Sequence, residues 1–141
     1  MAVVKTQTAG YSGTPLWRKL GLKPGMRLLA LEAPPNLEAL LSGAPDLQRL
    51  ARAATFDCAL AFANTRSTVT AMLARLEPKM PDDGLIWIAW PKKASGVSTD
   101  LTEDIVRRIG LAARLVDVKV CAIDATWSGL KFVRRLRDRG G

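Results

Sequence analysis

Lys92, Lys93, Ser95 and Gly96 follow the apolar run Leu85-Ile86-Trp87-Ile88-Ala89-Trp90 and precede Ser98-Thr99-Asp100. Two ammonium groups and several hydroxyls in one short stretch can hold a phosphate or a carboxylate, because each donates hydrogen bonds to anionic oxygens. A second stretch, Thr126-Trp127-Ser128-Gly129, adds two hydroxyls and an indole suited to a flat or anionic partner. Lys92, Lys93, Ser95, Gly96, Thr126, Trp127 and Ser128 are therefore the candidate ligand-binding residues. Their order is not the glycine-lysine-serine order of a phosphate-binding P-loop.

Histidine is absent, which removes the commonest general base and the commonest metal ligand and excludes serine-histidine and cysteine-histidine catalysis. The carboxylates placed for acid-base work are Glu32, Asp124 and Asp117. Glu32 and Asp124 are candidates to face each other, although no spacing rule pairs them, and they are too few to hold a metal ion. No catalytic residue is assigned and no metal is expected. Cys58 and Cys121 each lie inside an apolar run, where a free thiol behaves as a small buried hydrophobe.

The elements that position these groups are legible from apolar spacing. Residues 85–90 are too short for a helix, end at Pro91 and lead to a helix-start signal, which describes a buried parallel strand, a loop and a helix. Thr14-Pro15 opens a short helix ended by Gly21, and Met26 to Leu31 is the first strand. Leu37, Leu40 and Leu41 have helical spacing, and Asp46 caps a second helical piece carrying Leu47, Leu50 and Ala51. Phe56 to Ala63 is a strand; the helix from Ser67 buries Val69, Met72, Leu73 and Leu76. A capping box of Asp100 and Glu103 starts another helix, ended near Gly110. Val116 to Ile123 and Leu130 to Val133 form a hairpin around Asp124 to Gly129. This order predicts a three-layer α/β fold with a mainly parallel, Rossmann-like sheet ending in an antiparallel hairpin. It brings Glu32 to Asn36, Asn64 to Ser67, Trp90 to Gly96 and the hairpin loop to one carboxyl edge, where open α/β sheets bind ligands.

The chain has 141 residues, 48% hydrophobic and 24% charged, enough for a single domain over residues 14–136 after a flexible segment 1–13. Lys131, Arg134, Arg135, Arg137 and Arg139 against Asp138 place half of the net charge of +8 in one C-terminal segment, with 137–141 as a basic tail. Such a charge favours an anionic small molecule or an acidic protein surface as partner, with nucleic acid the weaker choice because no recognised module or basic-aromatic stripe is visible. No apolar stretch has the length of a membrane span, so a cytoplasmic location is expected.

Three motifs carry a resemblance that covers nearly the whole chain: Gly10-Tyr11-Ser12-Gly13-Thr14-Pro15-Leu16, Trp90-Pro91-Lys92-Lys93-Ala94-Ser95-Gly96, and Val116-Asp117-Val118-Lys119-Val120 through Thr126-Trp127-Ser128-Gly129-Leu130-Lys131-Phe132. Together they resemble the bacterial family called domain of unknown function 3052, which implies no established activity. More loosely, the chain resembles class I methyltransferases, whose second half also runs strand, helix, strand, helix and then an antiparallel hairpin, and it is shorter than such domains by about one strand-helix pair or more. That resemblance implies a glycine-rich loop after the first strand, where the backbone approaches S-adenosylmethionine. The matching stretch here is Glu32-Ala33-Pro34-Pro35-Asn36, with two prolines and no glycine, so no cofactor is expected. These readings combine into a non-catalytic binding or regulatory module, with a small methyltransferase-like enzyme or a nucleic-acid-binding protein as the alternatives.

Overall fold

Cys58–Phe62 is buried at every position and Leu85–Pro91 at every position after its first, a pattern that only strands covered on both faces can have. In the computed structural model, which describes residues 13–52 and 54–140, these two strands lie at the centre of a six-stranded sheet. The elements in chain order are α1 (Leu16–Leu20), β1 (Arg27–Leu31), α2 (Leu37–Leu40), β2 (Gln48–Leu50), β3 (Cys58–Phe62), α3 (Arg66–Leu76), β4 (Leu85–Pro91), α4 (Glu103–Ala112), β5 (Leu115–Ala122) and β6 (Trp127–Arg134). The strand order is β2-β1-β3-β4-β6-β5. Strands β2, β1, β3 and β4 are mutually parallel, and β6 runs antiparallel between β4 and β5. The predicted Rossmann-like α/β fold with a terminal antiparallel hairpin is what forms. Residues 1–12, which hold Gly10, Tyr11 and Ser12 of the first quoted motif and most of the expected flexible segment, lie outside the described residues.

Alternation along the strands divides the core into two layers. Ala59, Ala61, Ile86, Ile88 and Trp90 pack with Val69, Met72, Leu73 and Leu76 of α3 and Val106 of α4. Cys58, Leu60, Phe62, Trp87 and Ala89 face the other way, onto Leu20 of α1 and Leu37 of α2. The small residues of β3 admit α3 closely, while the opposite layer is filled by Trp87, whose indole Nε1 donates to the Leu20 carbonyl at 2.9 Å. Deep burial pushes the Cys58 thiol up to about 12, and burial also raises Cys121; both cysteines are free.

Four local expectations are corrected. Residues 46–51 do not form a capped helix: Gln48–Leu50 is an edge strand, and the Gln48 N–H donates to the Met26 carbonyl at 2.8 Å. Helix α4 is capped by Thr102, whose hydroxyl accepts from the Ile105 N–H, while Asp100 accepts the backbone N–H of Arg66 instead. Gly110 does not end that helix, which runs on to Ala112. Trp127, Ser128 and Gly129 are not loop residues but the start of β6, paired with Pro91, Trp90 and Ala89.

The entry to the sheet is held by one ion pair. The Arg27 backbone N–H, Nε and Nη2 donate to Asp57 at 2.8, 3.1 and 3.0 Å, joining the starts of β1 and β3. The guanidinium hydrogen bonds hold the Asp57 carboxyl below its ordinary value. A folded-state pKa below the unfolded one gives stability that is present above about pH 4 and is lost as the pH falls through the folded value. Asp57→Asn should therefore weaken the fold by about 1 kcal/mol at neutral pH and flatten the acid side of the stability curve. Urea midpoints at pH 7 and pH 3 check both; an unchanged acid slope in the variant would assign the slope to another group.

Candidate functional site

The chain leaves β1 on one side, through α2 to β2, and β3 lies on the other side of β1. The strand order reverses between β1 and β3, and loops that diverge at such a point leave a crevice at the carboxyl ends of the strands. A crevice of about 620 Å³ lies there, lined by Glu32 after β1, by Asn64 after β3, and by Ser67, Thr68, Met72 and Arg75 of α3. Helix α3 reaches it because Thr65 caps its start, accepting the Thr68 N–H at 3.2 Å. Thr68, Ala71, Met72 and Arg75 then fall on one side of the helix by their spacing.

Glu32 has φ 53, the left-handed region that side-chain-bearing residues seldom adopt. The backbone thus makes the sharp turn that a glycine would allow, with a carboxylate in its place. Glu32 and Arg75 carry opposite charges on one crevice, yet neither side chain forms an ion pair or hydrogen bond within the described residues. The other two carboxylates singled out from the sequence are occupied. Asp124 accepts from the Thr126 and Trp127 N–H groups, both at 2.8 Å, and shapes the hairpin turn. Asp117 accepts from Arg107 Nε at 2.9 Å. Glu32 follows β1 and Asp124 follows β5, with β3, β4 and β6 between those strands, so the sheet order does not bring the two carboxylates face to face.

Further along the same edge stand the lysine loop and the hairpin turn. The Lys92 N–H donates to the Thr126 carbonyl at 2.7 Å, which carries the antiparallel pairing of β4 and β6 one step beyond Pro91 and Trp127 and fixes one stretch against the other. Lys93–Ser95 is a single 3₁₀ turn closed by Gly96 at φ 77. The Ser95 hydroxyl donates to the Lys92 carbonyl at 2.6 Å and accepts from the Val97 N–H, so it is spent on the turn. Lys93 is exposed and Lys92 half-buried. Trp127 is not an exposed aromatic: it is half-buried and meets Phe62 edge to face at 5.0 Å. Ser128 is half-buried within β6. The structure therefore brings Lys92, Thr126 and Trp127 together and leaves Lys93 in solvent.

The loops after β3 and β4 are clasped to each other. Thr99 Oγ1 donates to the Asn64 carbonyl at 2.7 Å, and Asp100 Oδ1 accepts the Arg66 N–H at 2.9 Å. Sequence reasoning missed Arg75. The signal was its helical register with Thr68, a residue beside the loop already assigned to the carboxyl edge.

No family model matches this chain, and no curated protein matches it in sequence. Solved structures do share its fold. A SAM-dependent methyltransferase from Aquifex aeolicus is 12% identical with a TM-score of 0.62, the match covering 83% of this chain and 86% of that one. An O-methyltransferase from neocarzinostatin biosynthesis is 12% identical with a TM-score of 0.60, over 90% of this chain and 51% of that one. Magnesium protoporphyrin IX methyltransferase from Synechocystis PCC 6803 is 13% identical with a TM-score of 0.55, over 85% and 74%. The fold is the methyltransferase-like α/β fold. This finding contradicts the expected non-catalytic binding or regulatory module and favours the methyltransferase-like alternative stated beside it.

Whether the residues present suit the cofactor of that class is a question for the loop after β1. The left-handed turn is kept at Glu32, but Pro34 and Pro35 offer no N–H, and Glu32 presents a side chain where a bare backbone would be needed. These residues do not fit a glycine-cradled S-adenosylmethionine. Among the described residues no group of three potential metal ligands gathers, and no helix is long and apolar enough to cross a membrane.

Proposed function

We propose that residues 14–136 form a small methyltransferase-like enzyme that works on an anionic small molecule in the crevice between β1 and β3. The observation that carries this reading is that the Glu32 and Arg75 side chains, without partners among the described residues, line one crevice at the point where the strand order reverses. Arg75 holds an anionic part of the substrate, for which a guanidinium offers paired donors. Glu32 accepts a hydrogen bond from the reacting group and serves as the general base. Asn64, Ser67 and Thr68 orient the remainder. Lys92 and Lys93, on the next loop of the edge, add positive potential that favours the same substrate. The three sequence motifs support placement in the family called domain of unknown function 3052.

The reading is tested with a mixture of carboxylate- and phosphate-bearing metabolites, scored by saturation-transfer NMR against the wild type, Glu32→Gln and Arg75→Ala. Binding in the wild type that falls at least tenfold in Arg75→Ala is expected, an energy of about 1.4 kcal/mol. Parallel calorimetric titration with S-adenosylmethionine should give no saturable heat. Saturable S-adenosylmethionine binding lost on changing residues 32–36 would replace this reading with methyl transfer.

Glu32 makes a second measurement informative. Glu32→Gly should relieve the left-handed strain and raise stability by about 1 kcal/mol, less the backbone freedom glycine gains when unfolded. Metabolite binding should fall in the same variant. A less stable Glu32→Gly protein would mean that the carboxylate is a structural anchor.

A further inference from the structure

On the far side of α3 from the crevice lies a groove of about 460 Å³ between α3 and α4. Its walls are Leu73, Ala74, Ile109, Ala112 and Ala113, so small residues leave room and larger ones make the floor apolar. Both helices connect parallel strands on the same face of the sheet, and two side-by-side helices with alanines between them form a seat for a third. Leu111, in the last turn of α4, remains 40% exposed. The rim is cationic. The Arg108 side chain lines the groove without an ion pair or hydrogen bond among the described residues, and Arg135 is held beside α4 by donating to the Leu111 carbonyl at 2.9 Å. The carboxylate that lines the groove, Glu77, is already neutralised by Arg134.

We propose that this groove docks an acidic amphipathic helix of a partner protein, with an apolar side chain seated over Ala74 and Ala112 and carboxylates toward Arg108 and Arg135. The charge pattern selects that occupant. A second copy of this chain would bring the same arginines and the same net charge of +8 against the groove, and a basic segment would meet Arg108 directly. The inference does not rest on the crevice, since Thr70, Leu73, Ala74 and Glu77 line the groove while Ser67, Thr68, Ala71 and Arg75 line the crevice.

The test uses the full chain and two fluorescein-labelled amphipathic helices, one built of leucine, alanine and glutamate and the other with lysine replacing every glutamate. Anisotropy should show saturable binding of the glutamate peptide and none of the lysine peptide. Arg108→Glu, an exposed change, should weaken binding at least tenfold, and Ala112→Trp should abolish it by filling the groove. Circular dichroism checks that both variants are folded; if Ala112→Trp is not, Arg108→Glu and the peptide pair still decide. Equal binding of both peptides, no saturation, or binding untouched by Arg108→Glu overturns the proposal. So does a dimer in sedimentation that Arg108→Glu alters, which would make the occupant a second copy.

Discussion

Gly110→Ala should destabilise the protein by about 2 to 3 kcal/mol, although alanine is the better helix former by about 1 kcal/mol. The reason is space. A methyl group at Gly110 would lie closer than 3.0 Å to three carbons of the Phe132 ring, and that ring is fully buried against the α3 and α4 layer. The helix can move away only by opening its contact with β6, and the ring has no free volume to turn into. The cause is separable from any general weakness of α4 by a double-mutant cycle. Phe132→Leu alone should cost stability, and Gly110→Ala should cost much less in that background than in the wild type. Urea midpoints measure all four proteins. A Gly110→Ala protein as stable as the wild type would show that α4 stands further from β6 than described.

Removing Trp87 should have the largest effect of any single side chain. Trp87→Ala empties the layer between β4 and α1 and should cost about 3 to 5 kcal/mol, enough to leave much of a domain this size unfolded. Trp87→Phe separates packing from hydrogen bonding. It keeps most of the apolar volume but strands the Leu20 carbonyl, which accepts the indole N–H, and should cost about 1 to 3 kcal/mol. It also takes the indole face from Lys131, whose ammonium lies 5.8 Å from the ring centre. Near-ultraviolet circular dichroism and thermal midpoints report both. If Trp87→Phe is neutral, the end of α1 is held by apolar contact alone.

These two sites mark what the sequence discloses and what it conceals. The continuous apolar run at 85–90 identified β4, and the spacing of Val69, Met72, Leu73 and Leu76 identified the buried face of α3, because burial on a regular element leaves a period. Gly110 carried no such sign. A glycine ends a helix or makes room for a neighbour, and only Phe132, twenty-two residues later, decides which. Strand β2 was misread because Leu47, Leu50 and Ala51 fall at helical intervals, while a three-residue edge strand needs backbone pairing and no apolar pattern at all. Trp127 passed for a loop residue because turn formers surround it; its partners, Pro91 and Phe62, come from other strands.

The candidate site divided in the same way. Its place at the carboxyl edge followed from the order of elements, which is local information. Its centre did not. The crevice between β1 and β3 depends on β2 adding to the far side of β1, and the spacing of residues 46–51 reads as a helix there. With residues 46–51 read as a helix, the order of elements shows no reversal between β1 and β3. The Glu32 turn was visible only as a missing glycine. Its φ of 53 shows that the path was kept when the residue type was not.

The clasp between the loops after β3 and β4 gives the edge a mechanical property. Because Thr99 and Asp100 grip Asn64 and Arg66, the start of α3 and the approach to α4 share one set of fastenings. A molecule that seats against Asn64 or Ser67 should therefore stiffen residues 97–102 without touching them, and slower amide exchange in that second loop would be a remote gauge of occupancy in the crevice.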